Sequence, residues 1–360
     1  MTSSGPRILE IGEYSLFARV WPERTLCLWT GHAPHDIEHA PHEPFTPRHI
    51  RIVRHALRSG EFDLVACYPP ADAPWQPTFI AALARRFGWR AGPLLLRHLA
   101  PFLLLRRMAS PLAVLDLADH PVIMRHNFRL LDRCRVYFKR ELPADHWKAF
   151  LMTNGRRLPT PRQRQSARMR EWVAKLRPLS IGLTPERLAA IATCGGSEKT
   201  VDVFFAGRVE SSSTVRSEGM GQLEHLRRQG YRIDVAVERL PSTEFYARCA
   251  RAWLAWSPEG YGWECFRHYE APLCGTVPVI NYPAGRRYAP LEAGVHCFYY
   301  GVEGAGLAQV IAEALADKRR LVTMAEAARE HVLRHHTVER LCEHVVATCL
   351  GPSRADDRVR

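Results

Sequence analysis

Apolar and polar positions along the chain switch between two periods. Residues 7–11 (RILEI) form an apolar run that stops at Gly12, which predicts a first strand and a loop. Prolines and glycines interrupt 31–47, which predicts loop. In 48–59 the apolar residues Ile50, Val53, Ala56 and Leu57 fall at helical spacing, and Gly60 closes the segment. A strand-like run at 62–68, a helix at about 78–87, an apolar segment to Met108, a strand at 112–117, a helix over 122–131 and a strand at 135–138 follow. Strands alternating with helices predict a parallel sheet covered on both faces.

The second half repeats this order more clearly. Strands are predicted at 201–206, 231–237, 253–256, 277–280 and 297–300; helices at 215–229, 242–250, from near Trp263, and through 307–347. Between them, 156–177 is rich in Arg, Gln and Pro with few apolar anchors, and reads as a basic linker. The predicted organisation is an amino-terminal α/β domain over 1–175, a second over 178–350 and a disordered tail at 351–360. Two Rossmann-like α/β domains facing a cleft are the fold class this order favours.

Composition narrows the function classes. The 360 residues are 46% apolar and 24% charged, which excludes a disordered or fibrous chain. A formal net charge of +13 points toward anionic partners: phosphates, nucleotides, nucleic acid or an acidic membrane face. No two of the ten cysteines have C-x-x-C spacing, so a reduced, cytoplasmic chain is expected. Residues 1–7 lack the pattern of a signal peptide. The apolar stretch 93–105 is too short to span a bilayer and carries Arg97, His98 and Pro101, so it is expected to be buried or interfacial.

The densest chemistry lies in 257–280 (SPEGYGWECFRHYEAPLCGTVPVI). Gly260 and Gly262 permit close backbone approach, and a helix starting near Trp263 would turn free N–H groups toward a phosphate. On that helix Arg267 lies three residues from both Glu264 and Glu270. Two roles are open to it: binding a diphosphate while Glu270 accepts from ribose hydroxyls, or holding the helix through a buried ion pair. Pro272 should end or kink the helix at about Ala271.

Glu270, Ala271, Gly275 and the strand Pro278-Val279-Ile280 resemble the carboxyl-terminal nucleotide-sugar site of glycosyltransferases with the GT-B fold. The S-P-x-G-x-G phrase with an Arg three residues before the glutamate resembles the exostosin-like branch; the donor half is similar to bacterial family-1-like transferases. The resemblance covers roughly 200–347 well and the first half weakly. It implies a donor site that includes Arg208, Arg216, Gly262, Glu264, Arg267 and Glu270. Arg208 ends the strand motif FFAGR, and a guanidinium suits a diphosphate.

In the first half LDLADH (115–120) and YFKRE (137–141) resemble the amino-terminal half of such bacterial transferases, and LSIG (179–182) their crossing into the donor domain. A base that deprotonates an acceptor hydroxyl is then expected from a loop at a strand's carboxyl end, and Asp119, Asp116 and His120 are the candidates. Capping of a helix near Pro121 is equally open to Asp116 and Asp119. Glu13 is a weaker candidate for acceptor contact. Asp116 and Asp119 do not form a D-x-D metal motif, so no metal and no cofactor are expected. Arg208, Arg216, Arg267 and Lys139 or Arg140 would supply the positive charge instead.

The function implied is metal-independent transfer of a hexosyl or pentosyl group, with inversion, from a nucleotide diphosphate sugar to a hydroxyl of a glycan, lipid-linked or small-molecule acceptor. The basic segment and 93–105 would also fit peripheral contact with an anionic membrane at the inner face of the plasma membrane. Two competing readings are a basic nucleic-acid-binding protein, weakened by the absence of interleaved aromatics apart from Trp172, and a glycan-binding protein without turnover.

Overall fold

Seven strands pair side by side in one parallel sheet, apolar in its middle and polar at its edges: β1 (Ile8–Gly12), β2 (Thr25–Trp29), β3 (Glu43–Pro44), β4 (Leu64–Cys67), β5 (Leu112–Asp116), β6 (Val136–Lys139) and β7 (Leu176–Pro178), in the order β3-β2-β1-β4-β5-β6-β7. Five more, β8 (Val201–Ala206), β9 (Ile233–Ala236), β10 (Ala252–Trp256), β11 (Val277–Asn281) and β12 (Phe298–Tyr300), form a second in the order β12-β11-β10-β8-β9. This computed structural model describes residues 5–31, 42–105, 108–151, 157–194, 196–209 and 213–351. They divide into two units: unit 1 is Met1–Leu179 with Cys342–Arg360, and unit 2 is Ser180–Leu341. Every strand pair is parallel. No helix among the described residues is long and apolar enough to cross a membrane. All ten cysteines are free thiols.

Strands that are covered on both faces are mostly apolar, and β1, β4, β5 and β11 are buried along their whole length, with Glu10, Asp116 and Asn281 as their polar exceptions. In β8 the pleat splits the core of unit 2. Phe204 packs with Ala255, Ile280 and Tyr269 on one face; Val203 and Phe205 pack with Leu254, Trp256 and Leu223 on the other.

Four expectations change. The basic segment is no loose linker: Pro161–Gln165 and Ala167–Lys175 are helices, and β7 closes the first sheet. Trp172 stacks on Phe150 inside the core of unit 1, and Arg168 makes a two-pronged ion pair with Asp132, so neither stands ready for nucleic acid. The chain passes between units at Leu179–Ser180, and residues 342–351 return to unit 1, where Phe138 meets His344 and Arg135 donates to the Gly351 carbonyl. The helix expected over 122–131 shrinks to Phe128–Arg133 after a 3-10 turn, because the Ile123 amide donates to Ala149 and holds the preceding chain extended. Most of the tail at 352–360, Arg156 and 32–41 of the proline-rich loop lie outside the described residues.

In the fourth case the helix expected near Trp263 begins only at Arg267 and runs seven residues to Leu273 with Pro272 inside it. A proline so near the end of a short helix forfeits a single intrahelical bond, so the turn survives. Gly275, at a φ of 70°, then ends it.

Helix Thr214–Arg228 approaches the sheet so closely at Gly219 that a Cβ there would stand inside the indole of buried Trp256. Alanine would otherwise favour the helix by ~1 kcal/mol. We therefore expect Gly219→Ala to destabilise the fold by about 1–3 kcal/mol in a urea titration; an unchanged or raised midpoint would show that this approach is not tight.

Candidate active site

Ligands of doubly wound sheets collect at the carboxyl edge, where neighbouring crossovers leave in opposite directions. In unit 2 that point lies between β8 and β10, and two arginines converge on it. Arg216, in the first turn of helix Thr214–Arg228, sends Nε to the Glu259 carbonyl at 2.8 Å and Nη1 to the Arg208 carbonyl at 2.8 Å. Arg267, the first residue of its short helix, donates Nη1 to the Ala206 carbonyl at the end of β8 and lies 5.1 Å over the Phe205 ring. A Cβ on Gly207 would stand 2.8 Å from Arg267 Nη1 and 3.7 Å from Arg216 Nη1. A side chain at this position would crowd the Arg267 guanidinium and touch that of Arg216.

Both arginines are buried, and among the described residues neither has a carboxylate partner. Their hydrogen bonds go to carbonyls, and Arg267 Nε has no partner. Burial, and then the positive charge of Arg267, lower the pKa of Arg216, against a smaller opposing pull from Cys265 and Glu259. A cavity of about 440 Å³ opens beside them, lined by Gly207, Arg208, Glu238, Arg239, Leu240 and Phe245.

The other donor-site candidates divide. Arg208 is exposed, and its carbonyl fixes Arg216. Gly262 is buried and accepts from the Gly260 amide, shaping the loop ahead of the helix rather than opening its N-terminus. Glu270 Oε1 accepts from Arg187 at 2.7 Å and from the Tyr246 hydroxyl at 2.9 Å. Its ion pair is therefore with Arg187, and the Arg267–Glu pairing that the spacing left open is not formed. Glu264 is turned into the interior, accepting from Ser180 at 2.8 Å and from Tyr269, while Ser180 meets His336 Nδ1 at 3.0 Å. That network removes Glu264 from the donor-binding set.

Unit 1 has its own reversal point between β1 and β4, and a cavity of about 130 Å³ lies there. Glu13, Tyr14, Tyr68, Asp116, His120 and Asn127 line it. Asp116 is no free base: Lys139 donates to Oδ1 at 2.9 Å and the Tyr137 hydroxyl to Oδ2 at 2.8 Å, all three side chains buried. Asp119 points outward into an ion pair with Arg140 at 2.6 Å and does not line the cavity. Of the residues lining this cavity, His120 and Asn127 each keep a buried polar atom without a partner, Nδ1 and Oδ1 respectively. Burial raises the pKa of Glu13, yet by surface area its side chain stays open to solvent, and we give it the lesser part.

Solved structures share this arrangement of sheets. HepE from Anabaena, in complex with UDP and glucose, has a TM-score of 0.52 at 14% identity, covering 97% of this chain and 100% of that one. Sucrose-phosphate synthase from Thermosynechococcus elongatus has a TM-score of 0.52 at 13% identity over 94% and 96%. The N-terminal domain of Candida albicans trehalose-6-phosphate phosphatase has one of 0.54 at 11% over 97% and 98%. The fold is GT-B. No protein-family model and no curated protein sequence matches the chain.

Within this GT-B chain the sequence pattern passed over Asn127, Arg187, Tyr246 and Glu10. A charged residue inside an all-apolar strand was the available signal for Glu10. It is fully buried on β1 and accepts from the Tyr68 hydroxyl at 2.7 Å and from the Phe17 and Ala18 amides at 3.2 and 3.0 Å. Burial outweighs these donors and raises its pKa to about 7. Because the folded state holds this proton more tightly than the unfolded chain does, its contribution to stability is lost as pH rises from the unfolded value near 4.5 through 7. Wild type should lose roughly 2–3 kcal/mol from this group between pH 5 and 8, and Glu10→Gln should lack that slope. Parallel pH profiles of the two proteins in urea would refute the shift.

Proposed function

We infer that the protein is a glycosyltransferase that takes a nucleotide diphosphate sugar in unit 2 and an acceptor hydroxyl in unit 1. One observation carries this reading: Arg216 and Arg267 are buried together at the reversal point of the second sheet, neither held in an ion pair among the described residues, and Glu259 offsets the charge of Arg216 only in part. Uncompensated buried charge costs several kcal/mol, and a diphosphate, held by charge-assisted hydrogen bonds, would offset it. The nucleoside would enter the cavity lined by Arg239, Leu240 and Phe245. The GT-B likeness, including a neighbour solved with UDP and glucose, supports the same assignment.

In the reaction proposed, the acceptor oxygen attacks the anomeric carbon as the bond to the diphosphate breaks, inverting the centre in a single displacement. His120 Nδ1 takes the hydroxyl proton, and Asn127 Oδ1 accepts from a second hydroxyl of the acceptor. Arg216 and Arg267 stabilise the charge that develops on the leaving diphosphate, the work a metal does in other transferases. Lys139 and Tyr137 orient Asp116 and fix the floor of the acceptor cavity.

Uridine, guanosine, thymidine and cytidine diphosphates and their sugars should include at least one that raises the melting temperature, by about 2.7 kcal/mol of stabilisation at a hundredfold excess over Kd. Arg267→Met keeps the packing on Phe205 and removes the charge. It should abolish that rise, with a loss of about 1.5–3 kcal/mol of binding free energy for each hydrogen bond removed, and leave the unliganded protein folded. No stabilisation by any member of the panel, or equal stabilisation of the variant, would overturn the assignment.

A further inference from the structure

We propose that unit 1 docks on an anionic lipid bilayer through helix Pro77–Phe87 and the turn at Gly88–Arg90 that joins it, as a hairpin, to helix Ala91–Leu99. Between Asp72 and Asp116 the chain carries six arginines and no acidic residue. In the first helix only Leu83 is buried. Ile80, Ala81, Ala82, Ala84, Arg85 and Arg86 all face solvent. At the turn Trp89 is 84% exposed, with the Arg90 guanidinium 5.2 Å over its ring. Among the described residues nothing lies within 4 Å of a Cβ placed at Gly88 or Gly92, so these two positions of the turn face open space. At its root Trp75 packs on Phe102 at 5.1 Å and anchors the hairpin to the unit.

A large exposed indole, an adjoining aliphatic surface and arginines that form no ion pair among the described residues are the combination that a charged lipid interface rewards. Trp settles at the headgroup level, aliphatic groups enter the acyl boundary, and arginines reach lipid phosphates. A nucleic acid would use the arginines but would gain nothing from Ile80, Ala81 and Ala84. The bilayer is therefore the occupant the surface fits. The sequence had suggested 93–105 for this contact, but Leu94, His98, Ala100 and Leu104 are buried, and the preceding helix and turn present the open face instead. The docking claim stands without the transferase reading.

The test is sedimentation of the full chain with vesicles of phosphatidylcholine containing one-third phosphatidylglycerol, and with phosphatidylcholine alone, at low and high ionic strength. Wild type should bind the anionic vesicles at least about tenfold more tightly than the neutral ones and release them at high salt. Reversing Arg85, Arg86 and Arg90 to Glu should weaken binding by at least about 100-fold, from roughly fivefold per basic group. Trp89→Ala should weaken it several-fold, and circular dichroism should show both variants folded, since none of these side chains is buried. Equal binding to neutral vesicles, no binding at low salt, or wild-type binding by the charge-reversed variant would overturn the proposal. So would displacement by a DNA oligonucleotide that binds through the same arginines regardless of Trp89, which would make nucleic acid the occupant.

Discussion

In an all-parallel sheet every strand points the same way, so the loops that leave the carboxyl ends all emerge along one edge. Both sheets of this protein obey that constraint, and each has one place where neighbouring crossovers part: between β1 and β4, and between β8 and β10. The backbone opens there without any side chain asking it to. The two candidate subsites occupy those openings, which is why residues as distant in sequence as Glu13 and Asn127, or Gly207 and Arg267, come to share a surface.

How the two units treat buried charge separates their roles. In unit 1 the charges answer one another: Lys139 and Tyr137 satisfy Asp116, while Tyr68 and two amides satisfy Glu10. Such sets hold geometry, because removing either partner strands the other. In unit 2 the two arginines have carbonyls and an aromatic face for company, no ion pair among the described residues, and only the more distant charge of Glu259 acting on Arg216. A fold carries that kind of deficit where an anionic ligand makes it good.

Much of the architecture could be read from periodicity, since apolar runs buried on both faces leave little ambiguity. The strand over Val201–Ala206 and the helix over Ser242–Ala250 lie where the pattern puts them. The pattern failed where a tertiary contact decided the outcome. Trp172 and Leu176, with Met169 and Val173 packed beside them, draw a basic, apolar-poor segment onto the core of unit 1, and one hydrogen bond from Ile123 cuts a helix short. Arg216 and Arg267, which the motif singled out, do come together beside Gly207. Glu264 and Asp116 carried the right chemistry at the right spacing, but spacing along the chain is silent on which partner a carboxylate finds. Ser180 and Lys139, each far off in sequence, settle that.

The central claim is that the buried arginine pair is a diphosphate site. A crystal structure of the protein soaked with uridine diphosphate tests it most directly. The account predicts phosphate oxygens at about 3 Å from the guanidinium groups of both Arg216 and Arg267, beside Gly207. A diphosphate bound elsewhere, for instance at Lys139 and Arg140, with the two arginines still facing only carbonyls, would contradict it.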